Sequence, residues 1–358
     1  MLTAPDHLIV WCSSTEILML YLLIGLALLY SFLNGYRDSS SILAGVIASR
    51  AMRPRVALYL IAAVELVAPF FFGAAVTRSI TIGLVKPSVV SLETIVVAIA
   101  AAVAWSFFCW WRGIPSSSTH ALIGGLLGAA LLLNGPQAIQ TNGVLYIVLP
   151  LFLAPIFGFI IAFALMGLML WALSMATPRI NGLFRQLQVV TAMALGMSNS
   201  ANDAHKSMGI IVLGLVLAGQ LTSFQIPYWV MLACSGSLAI GASLGDWRQI
   251  RNLGGKIYRI RPINALASQV TSSAIVLGAS VFGMPVSTSH IITTALMGSG
   301  ASERANKVRW GVAGEMVTTW VITIPATMAV SMLFLLTIAG FGRMGIHLAA
   351  LLPIIFGH

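Results

Sequence analysis

The hexapeptide Pro115-Ser116-Ser117-Ser118-Thr119-His120 recurs, slightly varied, as Pro285-Val286-Ser287-Thr288-Ser289-His290. Each copy sits in a long apolar setting, and each follows an aspartate: Asp38 stands 77 residues before Pro115, and Asp203 stands 82 before Pro285. A proline can open a helix where its missing N–H is not needed, and the residues after it present unpaired backbone donors. Ser116, Ser117, Ser118 and Thr119 would add hydroxyl donors beside that positive helix end, an arrangement suited to a tetrahedral oxyanion. Ser287, Thr288 and Ser289 offer the same from the second copy. One such run would read as an ordinary helix cap; two at equivalent positions, each with its own aspartate, read as a site built by two related halves.

The aspartates set a condition on that site. A charge within apolar surroundings of bilayer thickness costs at least about 2.5–3.5 kcal/mol, so it usually faces a cavity or a partner. Buried ion pairs, Asp38 with Arg37 or Asp203 with Lys206, are the plainer reading, but pairing alone does not call for duplication. Two carboxylates beside an anion repel it unless protons or sodium ions enter as well, and that conflict is itself a means of coupling. Glu65 and Glu315 could join a cation pathway or be structural. His120 and His290 invite a Ser-His-Asp hydrolase reading, yet no G-x-S-x-G elbow surrounds these serines and a triad needs no second copy. The chain is therefore expected not to be an enzyme, and to need no cofactor. Metal ligation by the two histidines and the aspartates lacks any close-spaced ligand motif, so no metal is expected beyond sodium as a passing co-ion.

The elements that position these residues follow from composition. The chain has 358 residues, 59% hydrophobic and only 8% charged, with a mean hydropathy of +0.97. Uncharged runs such as residues 17–33 and 113–177 can cross an apolar layer of about 30 Å. In lipid every backbone polar group must be satisfied internally, and no alternating strand pattern supports a barrel, so the expected fold is an all-α polytopic membrane protein. A coarse count gives 10–12 membrane segments. Residues 39–48 and 121–133 look too short to span and read as half-helices or re-entrant hairpins; residues 346–356 read as interfacial. The net charge of +10 suits basic cytoplasmic loops better than nucleic acid, which is not an expected partner. Residues 1–12 lack the basic start of a cleavable signal, and Cys12, Cys109 and Cys234 are too isolated for a disulfide framework.

The repeat divides the chain into residues 1–178 and 179–358. Loop charge speaks to their relative orientation. Arg50, Arg53 and Arg55 follow the first aspartate segment, whereas the matching loop 218–227 is uncharged. Before the second hexapeptide stand Arg248, Arg251, Lys256, Arg259 and Arg261, where the first half has only Arg78 and Lys86. After the hexapeptides, 135–142 is neutral and Arg304, Lys307 and Arg309 are basic. Three loop pairs of opposite bias predict two repeats of inverted topology, with the basic loops cytoplasmic and the chain in the cytoplasmic (inner) membrane.

These residues resemble the inorganic phosphate transporter (PiT) family, of the compact bacterial type. The resemblance rests on Asn34-Gly35-Tyr36-Arg37-Asp38 with Gly113-Ile114 and the first hexapeptide. It rests equally on Ala201-Asn202-Asp203-Ala204-His205-Lys206-Ser207-Met208-Gly209 with Gly283-Met284 and the second. Stretches 254–269 and 308–326 extend it over nearly the whole chain. It implies secondary active uptake of inorganic phosphate, coupled to H+ or Na+, by alternating access in a homodimer. Carried over by position, Asp38, Asn202 and Asp203 join Ser116–Thr119 and Ser287–Ser289 at the anion site. Asn34, Asp38, Asn202 and Asp203 are then the coupling-ion candidates, with Arg37, His120, His205, Lys206 and His290 in secondary roles. Arg37 stands where members usually have Asn or His, Ser41 where a second Asn is common, Ser200 for a usual Gly and His205 for a usual Gln. An imidazole at 205 would suit proton coupling. Sulfate, or a neutral metal–phosphate complex, is the alternative cargo.

Overall fold

A chain this apolar must bond its own backbone, and the computed structural model does so almost entirely with helices. It describes residues 14–343 apart from 87–89, 115, 176, 178 and 257–259. The first series is α1 (Ser14–Ala48), α2 (Pro54–Val67), α3 (Ala75–Arg78, prolonged by a π turn Ser79–Gly83), α4 (Leu92–Arg112), α5 (Ser118–Asn134) and α6 (Thr141–Ala172). The second is α7 (Ile180–Leu217), α8 (Tyr228–Leu244), α9 (Trp247–Lys256), α10 (Pro262–Val281), α11 (Thr288–Glu303) and α12 (Trp310–Arg343). Both run in the same order: a long helix carrying the aspartate, two shorter ones, a straight helix of about 20 residues, a short helix opened by the Ser/Thr run, and a long proline-bearing helix. The expected interfacial stretch 346–356, the N-terminal residues 1–12, Pro115 and Arg259 lie outside the described residues.

The molecule buries its central charges and turns large apolar side chains outward, as a bilayer demands. Tyr21, Tyr59, Leu149, Ile160, Val321 and Leu336 are exposed, whereas Asp38, Asp203, Lys206 and Glu65 are buried. Among the described residues, five helical stretches are long and apolar enough to cross a membrane: Thr15–Ala48, Pro54–Phe71, Leu92–Arg112, Thr141–Ala172 and Ala313–Gly340. The longest helix, α7, is different. Every residue from Ser198 to Leu215 is buried, so it needs no apolar coat and can carry the polar residues of the centre.

Packing exchanges elements between the series. α6 lies along α11, and α12 lies along α5, so the last helix of each series supports the short helix of the other. Glycines allow these close approaches: a Cβ on Gly124 or Gly128 of α5 would overlap α12, and one on Gly298 of α11 would overlap α6. Where lipid removes the hydrophobic drive between helices, backbone contact of this kind supplies much of the adhesion.

One expectation fails. Residues 39–48 are not a separate half-helix, because α1 runs unbroken through Asp38 to Ala48. The polar residues sit on a buried face, where Ser39 and Ser40 bond back to the Tyr36 carbonyl and Arg37 reaches Ser116, so the helix continues. Short helices do occur where the hexapeptides predict them. α5 has 17 residues and α11 has 16, or about 25 Å each at 1.5 Å per residue, short of a full crossing.

Candidate functional site

Matching turns deliver the two Ser/Thr runs. α4 ends at Gly113, whose φ of 70° is left-handed, with Gly113 N–H donating to the Trp110 carbonyl (3.1 Å) and Ile114 N–H to that of Cys109 (2.8 Å). α10 ends at Gly283 with φ 71°, and there Gly283 donates to Ser280 (3.0 Å) and Met284 to Ala279 (2.8 Å). This double bond satisfies carbonyls left over at a helix end and requires a residue free of a Cβ penalty. The chain reverses within four residues and begins a new helix. At α5, Ser117 is the N-cap and its Oγ accepts from His120 N–H (3.3 Å). At α11 the N-cap is Ser287, whose Oγ lies 3.5 Å from that of Ser289.

The two starts meet. Thr119 Oγ1 donates to the Val286 carbonyl (3.1 Å), and the rings of His120 and His290 stand 5.5 Å apart between centroids. Beyond this junction the helices part company, α5 packing along α4 and α12 and α11 along α6 and α10. Phe152 meets His120 edge-on at 5.5 Å and Trp320 covers His290 at 4.8 Å, so both histidines back the junction among aromatic rings. Ser118 and Ser289, one position apart when the hexapeptides are aligned, are the half-buried members of otherwise buried runs.

α1 and α7 bring the charges to this point. The carboxyl groups of Asp38 and Asp203 come within hydrogen-bonding reach of each other. Lys206 is fully buried and its Nζ donates to Asp203 Oδ1, to Thr119 Oγ1 (2.7 Å) and to the Val286 carbonyl (2.9 Å). Asp203 Oδ2 is buried with no hydrogen-bond donor among the described residues. Arg37 does not pair with Asp38. Neighbours on a helix point roughly 100° apart, and its guanidinium reaches the Ser116 carbonyl and, at 3.4 Å, Ser116 Oγ. Asn202, the residue before Asp203, clamps the second loop instead: its amide donates to Ser280 Oγ (3.2 Å) and the Met284 carbonyl (3.3 Å) and accepts from Val286 N–H (3.3 Å).

Most of the residues singled out from sequence therefore gather at one junction, with Asn34 buried one turn before Asp38 on the same face of α1. His205 lies aside: its carbonyl accepts from Thr77 Oγ1 (3.0 Å), which ties it to α3. Glu315 is exposed. Two residues escaped the sequence reading. Tyr30 donates from its hydroxyl to the Ser118 carbonyl (3.0 Å), and Asn199 donates to Glu65 Oε1 (2.8 Å), with Ser200 Oγ on the Glu65 carbonyl (2.7 Å). Helical spacing could have found both, since Tyr30, Asn34 and Asp38 follow one another at intervals of four and Asn199 precedes Asp203 as Asn34 precedes Asp38.

Comparison with known proteins finds relatives over most of the chain. The profile described as "Phosphate transporter family" matches residues 34–178 and 172–331. The chain is 37% identical over 313 residues to a protein of Rhizobium meliloti named "Probable low-affinity inorganic phosphate transporter", covering 87% of this chain and 94% of that one. A Bacillus subtilis protein of the same name is also 37% identical, over 86% of this chain and 94% of its own length. Among solved structures, one titled "The sodium-dependent phosphate transporter" superposes with a TM-score of 0.79 at 20% identity, covering 88% of this chain and 97% of that one; at that identity it speaks for the fold.

Proposed function

The chain belongs to the phosphate transporter family, and from that premise we propose that it is a secondary active symporter that imports inorganic phosphate together with protons or sodium ions. The observation that carries this reading is the junction itself, where the starts of α5 and α11 meet beside two facing carboxylates. Helix starts and hydroxyls recognise a tetrahedral oxyanion, while carboxylates reject it until a cation neutralises them. Phosphate binds between Ser116–Thr119 and Ser287–Ser289, entering past the half-buried Ser118 and Ser289. Asp38 and Asp203 take up the co-ion, assisted by Asn34 and Asn202, and His120 and His290 hold the helix starts in place. The family is one of transporters, and the reading includes no catalytic step.

The halves 1–178 and 179–358 act as inverted repeats that rock about the junction and open it to alternate sides. The identical order of elements and the exchange of supporting helices favour this, as does the opposite bias of the loop charges. The basic loops face the cytoplasm, the protein resides in the cytoplasmic membrane, and it works as a homodimer.

Labelled phosphate uptake into proteoliposomes tests the reading. An inward proton or sodium gradient, imposed separately, should concentrate phosphate, and excess unlabelled sulfate should not compete. Accumulation that never exceeds electrochemical equilibrium, or that sulfate abolishes, overturns it.

A further inference from the structure

The two halves treat their carboxylates differently. In the second, Lys206 directs three N–H donors at three oxygens: the carboxylate of Asp203, the hydroxyl of Thr119 and the carbonyl of Val286. Carboxylate, hydroxyl and carbonyl are the hard oxygen donors a small alkali cation uses, and an ammonium is a compact point charge of comparable role. With three donors on three acceptors, Lys206 has nothing left for an anion. The position matching Lys206 in the first half is Ser41, whose Oγ accepts from Gln249 Nε2 (3.0 Å). Arg37, the nearby cation of that half, turns one guanidinium nitrogen to Ser116, while its Nη1 has no hydrogen-bond partner among the described residues. Among the described residues Asp38 has no hydrogen-bonded countercharge, although it faces Asp203 and lies within the field of Arg37 and Lys206.

We infer that the Lys206 ammonium is a built-in substitute for one coupling cation, permanently occupying a monovalent-cation site formed by Asp203, Thr119 and Val286, so that Asp38 alone exchanges a co-ion with solution. This rests on the symport reading above and narrows it from two exchanging carboxylates to one: the second half brings its own cation, and the transporter needs one fewer from the medium. The site lies where the hydroxyl comes from one Ser/Thr run and the carbonyl from the other, so the tethered charge also holds the two helix starts together. A free cation in the same place would do so only while bound.

The test is Lys206→Ala, reconstituted beside the wild type and measured in sodium, lithium or choline chloride at equal ionic strength. In choline the variant should lose about tenfold or more in phosphate uptake, the usual consequence of stranding one member of a buried pair. Sodium or lithium should restore the variant by a factor the wild type does not show, and should raise its melting temperature in detergent more than that of the wild type. A folded Lys206→Ala protein that responds to these cations just as the wild type does overturns the inference. If Lys206→Ala does not fold, Asp203→Asn/Lys206→Gln removes both charges at once and decides: it should gain no extra stabilisation from sodium and lose concentrative uptake, and wild-type uptake by it overturns the inference. Should the wild type itself fail to concentrate phosphate, the symport reading falls, while the melting comparison still judges the cation site.

Discussion

α1 and α7 carry corresponding aspartates, and two of the positions at which they differ around it shape the junction. Before it stands Arg37 in one and Asn202 in the other; three residues after it, Ser41 in one and Lys206 in the other. Position −1 does the same task in both, tying down the loop that leads into the Ser/Thr run, with a guanidinium on Ser116 in one case and an amide on Met284 and Val286 in the other. Position +3 does different tasks. Lys206 sits on the face of its aspartate, as residues three apart on a helix must, and reaches across to both runs. Ser41 turns to Gln249. Scaffolding is conserved between the halves, and charge is not.

Removing the carboxylates should break this comparison most sharply. Asp38→Asn and Asp203→Asn should each cut concentrative uptake by about a hundredfold or more, the first by removing the carboxylate that exchanges the co-ion and the second by breaking a buried charge pair. Only Asp203→Asn should also lower the melting temperature, because it weakens the countercharge of a buried ammonium; equal thermal losses in both would erase the asymmetry.

Next come the loop clamps. Arg37→Ala should lower uptake by roughly tenfold, since charge-assisted hydrogen bonds contribute about 1.5–3 kcal/mol, and Asn202→Ala by less, its bonds being neutral. Initial rates in proteoliposomes check the order.

The two glycine turns offer a finer contrast. Alanine at either costs about 1 kcal/mol or more in the left-handed region. Gly283→Ala should cost more than Gly113→Ala in thermal unfolding. Its Cβ would lie 3.0 Å from the fixed Ala75 carbonyl, whereas at Gly113 it would meet, at 2.9 Å, the tip of the Arg248 side chain, which can swing aside.

The smallest effect belongs to the basic loop after α11. Partial burial pushes the Glu303 carboxyl up, but bonds from Lys307 (2.5 Å) and Asn264 (2.8 Å), with the charge of Arg261, outweigh it and hold the group below the usual range. A depressed folded value means the contribution is present at neutral pH and fades as pH falls through it. Glu303→Gln should cost about 1 kcal/mol or less at pH 7, and the gap from wild type should narrow on acidification.

How much of this was legible in the sequence depends on range. The paired hexapeptides, the aspartates and the shortness of α5 were readable because each is a local pattern. The continuity of α1 was not: a polar residue in an apolar run suggests a break, and only the neighbouring helices show that its face turns inward. The Arg37–Asp38 pair was a tempting reading that helix geometry forbids, while Asp203–Lys206 obeyed it. That Lys206 would reach Thr119 and Val286 could not be read from spacing, for those partners are 87 and 80 residues away. Asn199 was missed although its offset from Asp203 repeats that of Asn34 from Asp38, a sign visible once both helices are laid in register.

The meeting of α5 and α11 at their starts has a mechanical side. Each helix carries the equivalent of about half a positive charge at its N-terminus, so like poles are held nose to nose, against their mutual repulsion, by the Thr119–Val286 bond and by Lys206. An arriving oxyanion becomes a keystone, turning that thrust into compression. On the proposed reading, the helix directions would act as a spring that loading closes and release reopens.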